Sequence, residues 1–111
     1  MAVDAQRVRT LALELDTASE APHMHRVAFR TPRKIFLTLG EETRDVTFLF
    51  DPDLRDFYCE QAPEAFRPVP GGWGRMGMTA CDLTVVDEAT FRSALMAAFA
   101  LAQPKAKRRP K

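Results

Sequence analysis

The segment from Val27 to Leu39, read together with Gly71-Gly72-Trp73, constrains this chain most. Val27-Ala28-Phe29-Arg30 is apolar, aromatic and bounded, which predicts a strand. Thr31-Pro32-Arg33-Lys34 interrupts it, because proline lacks the N–H that a ladder needs. Ile35, Leu37 and Leu39 then alternate with Lys34, Phe36 and Thr38, the period of a half-buried strand. The segment therefore reads as two strands joined by a short basic turn. The paired glycines allow the positive φ of a second tight turn. That turn presents the only tryptophan. This order of elements restricts architecture, and it names no substrate, reaction or sequence-specific ligand.

The flanking residues extend the pattern. Val8, Leu11, Ala12 and Leu15 form one apolar stripe, predicting a helix over about Asp4 to Leu15 with Asp4 as its cap. A strand region is expected from about Met24 to Arg30. Val46, Phe48 and Phe50 alternate after a polar loop, which makes an antiparallel hairpin with Ile35–Leu39. Asp51-Pro52 starts a second helix, since aspartate caps and proline suits the first helical position. Phe66–Val69 and Trp73–Met78 read as strands on either side of the glycine turn. Asp87 caps a last helix reaching about Ala102. The order helix, three strands, helix, two strands, helix predicts an α+β domain with helices clustered on one antiparallel sheet.

Charge divides unevenly along the chain. Net charge is +1, but Lys105, Lys107, Arg108, Arg109 and Lys111 supply five positive charges, leaving the body at −4. Residues 1–103 are expected to form one domain and 104–111 a basic, disordered tail. A mildly acidic body is not the footprint of a dedicated DNA-binding domain. Cys59 and Cys81 are far apart and match no zinc spacing, so they read as free thiols of a reducing cytosol. The N-terminus lacks a signal-peptide core, and Ala94–Ala102 is about half a membrane span. The expectation is a cytoplasmic protein without membrane contact, its oligomeric state left open.

At these residues the chain resembles the MmcQ/YjbR family of small bacterial proteins. The resemblance rests on His25-Arg26-Val27-Ala28-Phe29-Arg30, on Arg33-Lys34-Ile35-Phe36-Leu37, on the strand from Val46 running into Asp51-Pro52, and on Trp73. It covers about Val8 to Lys105. It implies a two-layer, CyaY-like fold with a curved antiparallel sheet, and the family's label of DNA binding, which is drawn from likeness to a double-wing domain. Two departures stand out. Leu15-Asp16-Thr17-Ala18 replaces a Leu-Pro-Gly, and Ala98-Phe99 replaces a Ser-Tyr, removing two hydroxyls.

Basic side chains with aromatic neighbours can hold phosphates and stack on bases. Arg30, Arg33, Lys34 and Arg44 cluster near the first strands and hairpin loop, and Arg67 and Arg75 flank Trp73. With Lys105, Lys107, Arg108 and Arg109 they are the nucleic-acid candidates, for weak and salt-sensitive contact with DNA. The plainer reading makes them solvated strand ends, with Trp73 filling the core. A second function class is a protein-interaction or small-ligand module using a sheet face that carries Phe29, Phe36, Trp73 and Met76. A positive groove would favour nucleic acid, and a neutral apolar one a partner or ligand. His23 and His25 would share a strand face, but no third ligand is near, so no metal is expected. Asp4, Glu14 and Asp16 are too few for a frataxin-type iron ridge. Ser19 and Ser93 sit in no nucleophile context and no phosphate-binding loop is present, so neither catalysis nor a cofactor is expected.

Overall fold

The computed structural model describes residues 3–103. Its elements are α1 (Ala5–Leu13), β1 (Ser19–His23), β2 (Arg26–Arg30), β3 (Ile35–Gly40), β4 (Asp45–Phe48), α2 (Pro52–Gln61), β5 (Phe66–Pro68), α3 (Gly72–Arg75), β6 (Thr79–Asp82) and α4 (Glu88–Leu101). The strands form one open antiparallel sheet in the order β1-β2-β3-β4-β6-β5. The longer helices cover one face, which is the expected α+β arrangement.

Each longer helix starts where an aspartate accepts a free backbone amide. Asp4 accepts from Arg7 N, Asp51 from Leu54 N and Asp87 from Thr90 N, at 2.8, 2.9 and 2.7 Å. Pro52 occupies the first helical position of α2, where no amide bond is lost. The core lies between sheet and helices. Phe48 sits at its centre, with its ring 5.1 Å from Phe50, 6.2 Å from Phe66 and 5.7 Å from Phe91. Val8 and Leu11 of α1 and Leu95 and Ala98 of α4 close over it.

Three local features differ from the sequence reading. First, four strands precede α2 rather than three. The expected strand from Met24 is a hairpin: β1 pairs with β2 in the register His23↔Arg26, leaving Met24 and His25 as a two-residue turn. β1 contains Pro22, and it is an edge strand, where proline's missing N–H costs no ladder bond. Second, the residues after Gly71-Gly72 form a helical turn, α3, and not a strand. Gly71 has φ +79, and Met76 N bonds back to Gly72 O at 3.1 Å. The next strand starts only at Thr79. Third, β3 carries a bulge. Phe29 pairs with Leu37, yet its neighbour Arg30 pairs with Ile35, so Phe36 is the extra residue. Phe36 therefore joins Leu37 in the core, its ring 5.5 Å edge-on to Phe99 of α4. Ile35 passes to the opposite face.

Candidate functional site

The face of the sheet away from the helices holds a groove of about 680 Å³. Its floor is Ile35 and Thr38 of β3, Thr47 and Leu49 of and after β4, and Val69 and Met78 from the β5–β6 connection. These positions follow from strand alternation. Val46 and Phe48 point to the core, so Thr47 and Leu49 point away. One lip is Trp73 on α3. The other is the β1–β2 turn with His23, Met24 and His25, beside the loop residues Glu41, Glu42 and Thr43. The two lips are at opposite ends of the strands. They are separated by nearly the length of β3 and about four strand spacings, roughly 25 Å between backbones.

A fixed polar cluster lies in the groove below the β1–β2 turn. Arg26 donates from Nε to Thr38 Oγ1 at 2.9 Å, from Nη2 to Thr38 O at 3.1 Å and from Nη1 to Asp45 Oδ1 at 3.0 Å. Thr43 Oγ1 donates to the same Asp45 oxygen at 2.7 Å. Gly40 is the spacer: a Cβ there would collide with Thr43 Oγ1 and crowd the Arg26 and Asp45 side chains. Arg26 and Asp45 thus neutralise each other. Glu41 is paired with Arg9 of α1. Glu42 makes no ion pair among the described residues, so it is the unbalanced carboxylate of the lip.

The lips expose apolar groups that a core would normally claim. Trp73 is 60% exposed and Met24 89%. Trp73 therefore does not fill the core under its turn. Phe29 and Phe36, expected on the same sheet face as Trp73, are fully buried on the helix side, the second because of the bulge. Trp73 stands on a rigid base. Arg55 of α2 donates to Gly74 O at 2.8 Å. A Cβ on Gly74 would fall inside the Val69 carbonyl.

The basic candidates divide. Arg30 bonds the carbonyl of Thr31 at 3.1 Å. Arg33 donates to Gln103 O and Leu101 O, both at 3.0 Å, where its charge also suits the C-terminal end of α4. Lys34 and Arg75 are exposed, on the two connections that leave one end of the sheet. Arg67 lies on β5. Its charge, after hydrogen bonds from Thr84, helps hold the Asp82 carboxyl below its usual range. Arg44 is at the opposite end, in the β3–β4 loop, with φ +55. The structure therefore does not gather the six residues into one basic patch. Lys105, Lys107, Arg108 and Arg109 lie outside the described residues. His23 closes β1 and His25 is in the turn, so they are not alternate residues of one strand. Among the described residues no three His, Cys, Asp or Glu side chains converge as metal ligands. Both cysteines are free, and burial pushes the Cys81 thiol up to about 12. No described helix is long and apolar enough to cross a membrane.

The groove residues Met24, Arg26, Thr38, Thr47, Leu49 and Met78 were not candidates in the sequence. Alternation along Asp45–Phe50 was the available signal, since it separates Thr47 and Leu49 from the core set.

Comparison with known proteins adds the lineage. No curated protein matches the chain. A crystal structure of Deinococcus radiodurans protein DR2400, which carries the family-model domain DUF419, is similar with a TM-score of 0.77. It is 13% identical over 96% of this chain and 83% of that one, a likeness of fold. A model of the YjbR family matches residues 13–101. By that match, and by the fold it shares, the chain belongs to the YjbR family.

Proposed function

We propose that this domain is a noncatalytic binding module, and that the groove on its open sheet face is the site for a small, largely apolar ligand. What carries the reading is an apolar floor under two exposed apolar lips, with a few polar groups fixed between them. A volume of about 680 Å³ falls within the range of small-molecule sites, which combine apolar walls with a few placed polar groups. The charges within the groove are nearly balanced, unlike a channel for a phosphate backbone.

Methionine-methyl NMR tests this directly. A library of small aromatic compounds is expected to contain binders that shift the Met24 and Met78 methyl signals and leave Met96 unmoved. Met96 is 52% exposed on α4, away from the groove, and so reports nonspecific contact. If every compound that shifts Met78 shifts Met96 equally, or none shifts Met78, the groove is not a site.

One observation favours DNA contact as a second reading. Lys34 and Arg75 are exposed on connections at the same end of the sheet, about 15 Å apart by strand spacing. Duplex binding by anisotropy at low salt should then fall on Lys34→Ala with Arg75→Ala, and fall again with added salt. Binding that vanishes only when residues 105–111 are deleted would assign it to the tail instead.

A further inference from the structure

Met24 is the most anomalous residue of the groove. It is 89% exposed and it has φ +59. Left-handed backbone is unfavourable for a residue with a Cβ, and a methionine has no short polar group to bond its own turn. His25 is not in that region, so Met24 is the first central residue of a turn that ordinarily takes glycine there. A glycine would relieve the backbone and remove an exposed apolar side chain. Neither gain is taken. Strain of this kind persists where the displayed group is used.

The partner chemistry follows from what surrounds it. Met24 offers a polarisable thioether, and Trp73 at the other lip offers an exposed ring. Thioethers and indoles both favour flat aromatic surfaces. The two lips are far apart, so the ligand is elongated. Of the charges around the groove, Arg26 is held by Asp45 and Glu41 by Arg9, which leaves Glu42 for the ligand. We infer that the groove takes an elongated aromatic cation, gripped by Met24 and Trp73 and oriented by Glu42. This deepens the groove reading and rests on it.

Proflavine, a flat tricyclic cation, and an anthracenesulfonate of similar shape separate the alternatives. Each is titrated by calorimetry, with Trp73 emission as a second readout. Proflavine is expected to bind about tenfold tighter than the sulfonate at low salt, the combined effect of attraction for one and repulsion of the other at a surface carboxylate. Glu42→Gln should remove most of that preference. Met24→Gly should weaken proflavine by about fivefold, the scale of one thioether–aromatic contact, while raising Tm by roughly 3 °C. A residue strained for binding moves affinity and stability in opposite directions. Equal affinity for the two probes would overturn the cation, and leave the groove as a site. Proflavine bound as tightly by Met24→Gly would overturn the role of Met24. If neither probe binds or changes Trp73 emission at millimolar concentration, the groove reading falls and this inference with it.

Discussion

Replacing Thr31 by valine keeps the shape of a side chain that is only 1% exposed and removes one hydroxyl. That hydroxyl joins two parts of the fold. It donates to Ala102 O at 2.9 Å, at the C-terminal end of α4. It accepts from Arg33 N at 3.1 Å and Lys34 N at 3.2 Å, holding the β2–β3 connection closed. In the valine variant the two amides can turn to water, since Arg33 and Lys34 are exposed. The Ala102 carbonyl loses the donor supplied by Thr31 in a residue only 1% exposed. An abandoned buried acceptor is destabilising by about 1–3 kcal/mol, and the lost bonds add about 0.5–1.5 kcal/mol. The expected loss is about 2 kcal/mol. For a domain of this size that lowers Tm by roughly 10 °C. Urea unfolding followed by circular dichroism reads it as a lower midpoint at unchanged slope. Thr31→Ser keeps the hydroxyl and should lose less than half as much. A valine variant within about 0.5 kcal/mol of the parent, or a serine variant as damaged as the valine, would refute the role given to the hydroxyl.

Two further perturbations test other parts of the structure. Gly74→Ala drives a methyl into the Val69 carbonyl, so α3 must shift; the variant should be destabilised by about 2 kcal/mol and show altered Trp73 emission in the folded state. Hydrogen bonds from Arg7 first, then from Arg92, lower the Glu88 carboxyl from 4.5 to about 2. A depressed carboxyl stabilises the fold above its unfolded value and ceases to do so as pH falls through its folded value. The Tm difference between parent and Glu88→Gln should therefore be full near neutrality, shrink below pH 4.5 and vanish by about pH 2; a difference that persists there would contradict the pairing.

How much of this was legible in the sequence depended on whether one residue's neighbours or the whole sheet decided its place. Caps are local, so Asp4, Asp51 and Asp87 were readable, as was the hairpin across Gly40–Asp45. β1 was not, because Ser19-Glu20-Ala21-Pro22 carries no strand composition; it is a strand only because β2 offers an edge to pair with. Alternation groups Phe36 with Lys34 and Thr38 because it assumes an unbroken period. One bulge shifted that period, moving Phe36 to the core and Ile35 to the groove. A glycine pair signals a turn between strands, which puts Trp73 in a strand, and nothing local shows that Gly72–Arg75 coils instead. Nothing local to Arg33 shows that α4 ends beside it and offers its guanidinium two backbone carbonyls. The groove itself was half legible: its floor is the odd register of Asp45–Phe50, but its lips depend on connections whose positions only the fold determines.

The base beneath Trp73 bears on how the proposed site would accommodate guests of different length. Gly74 is jammed against Val69 and its carbonyl is tied by Arg55, so that wall is an anvil. The facing wall is the hairpin tip, where His23 at the end of β1 and the turn residues Met24 and His25 are all exposed. Tolerance for size is thus one-sided. Along a homologous series of guests, backbone amide signals should migrate progressively at residues 23–25 and stay fixed at 72–75. If the groove binds as proposed, a new preference would evolve in the hairpin tip, with the tryptophan side as the fixed reference.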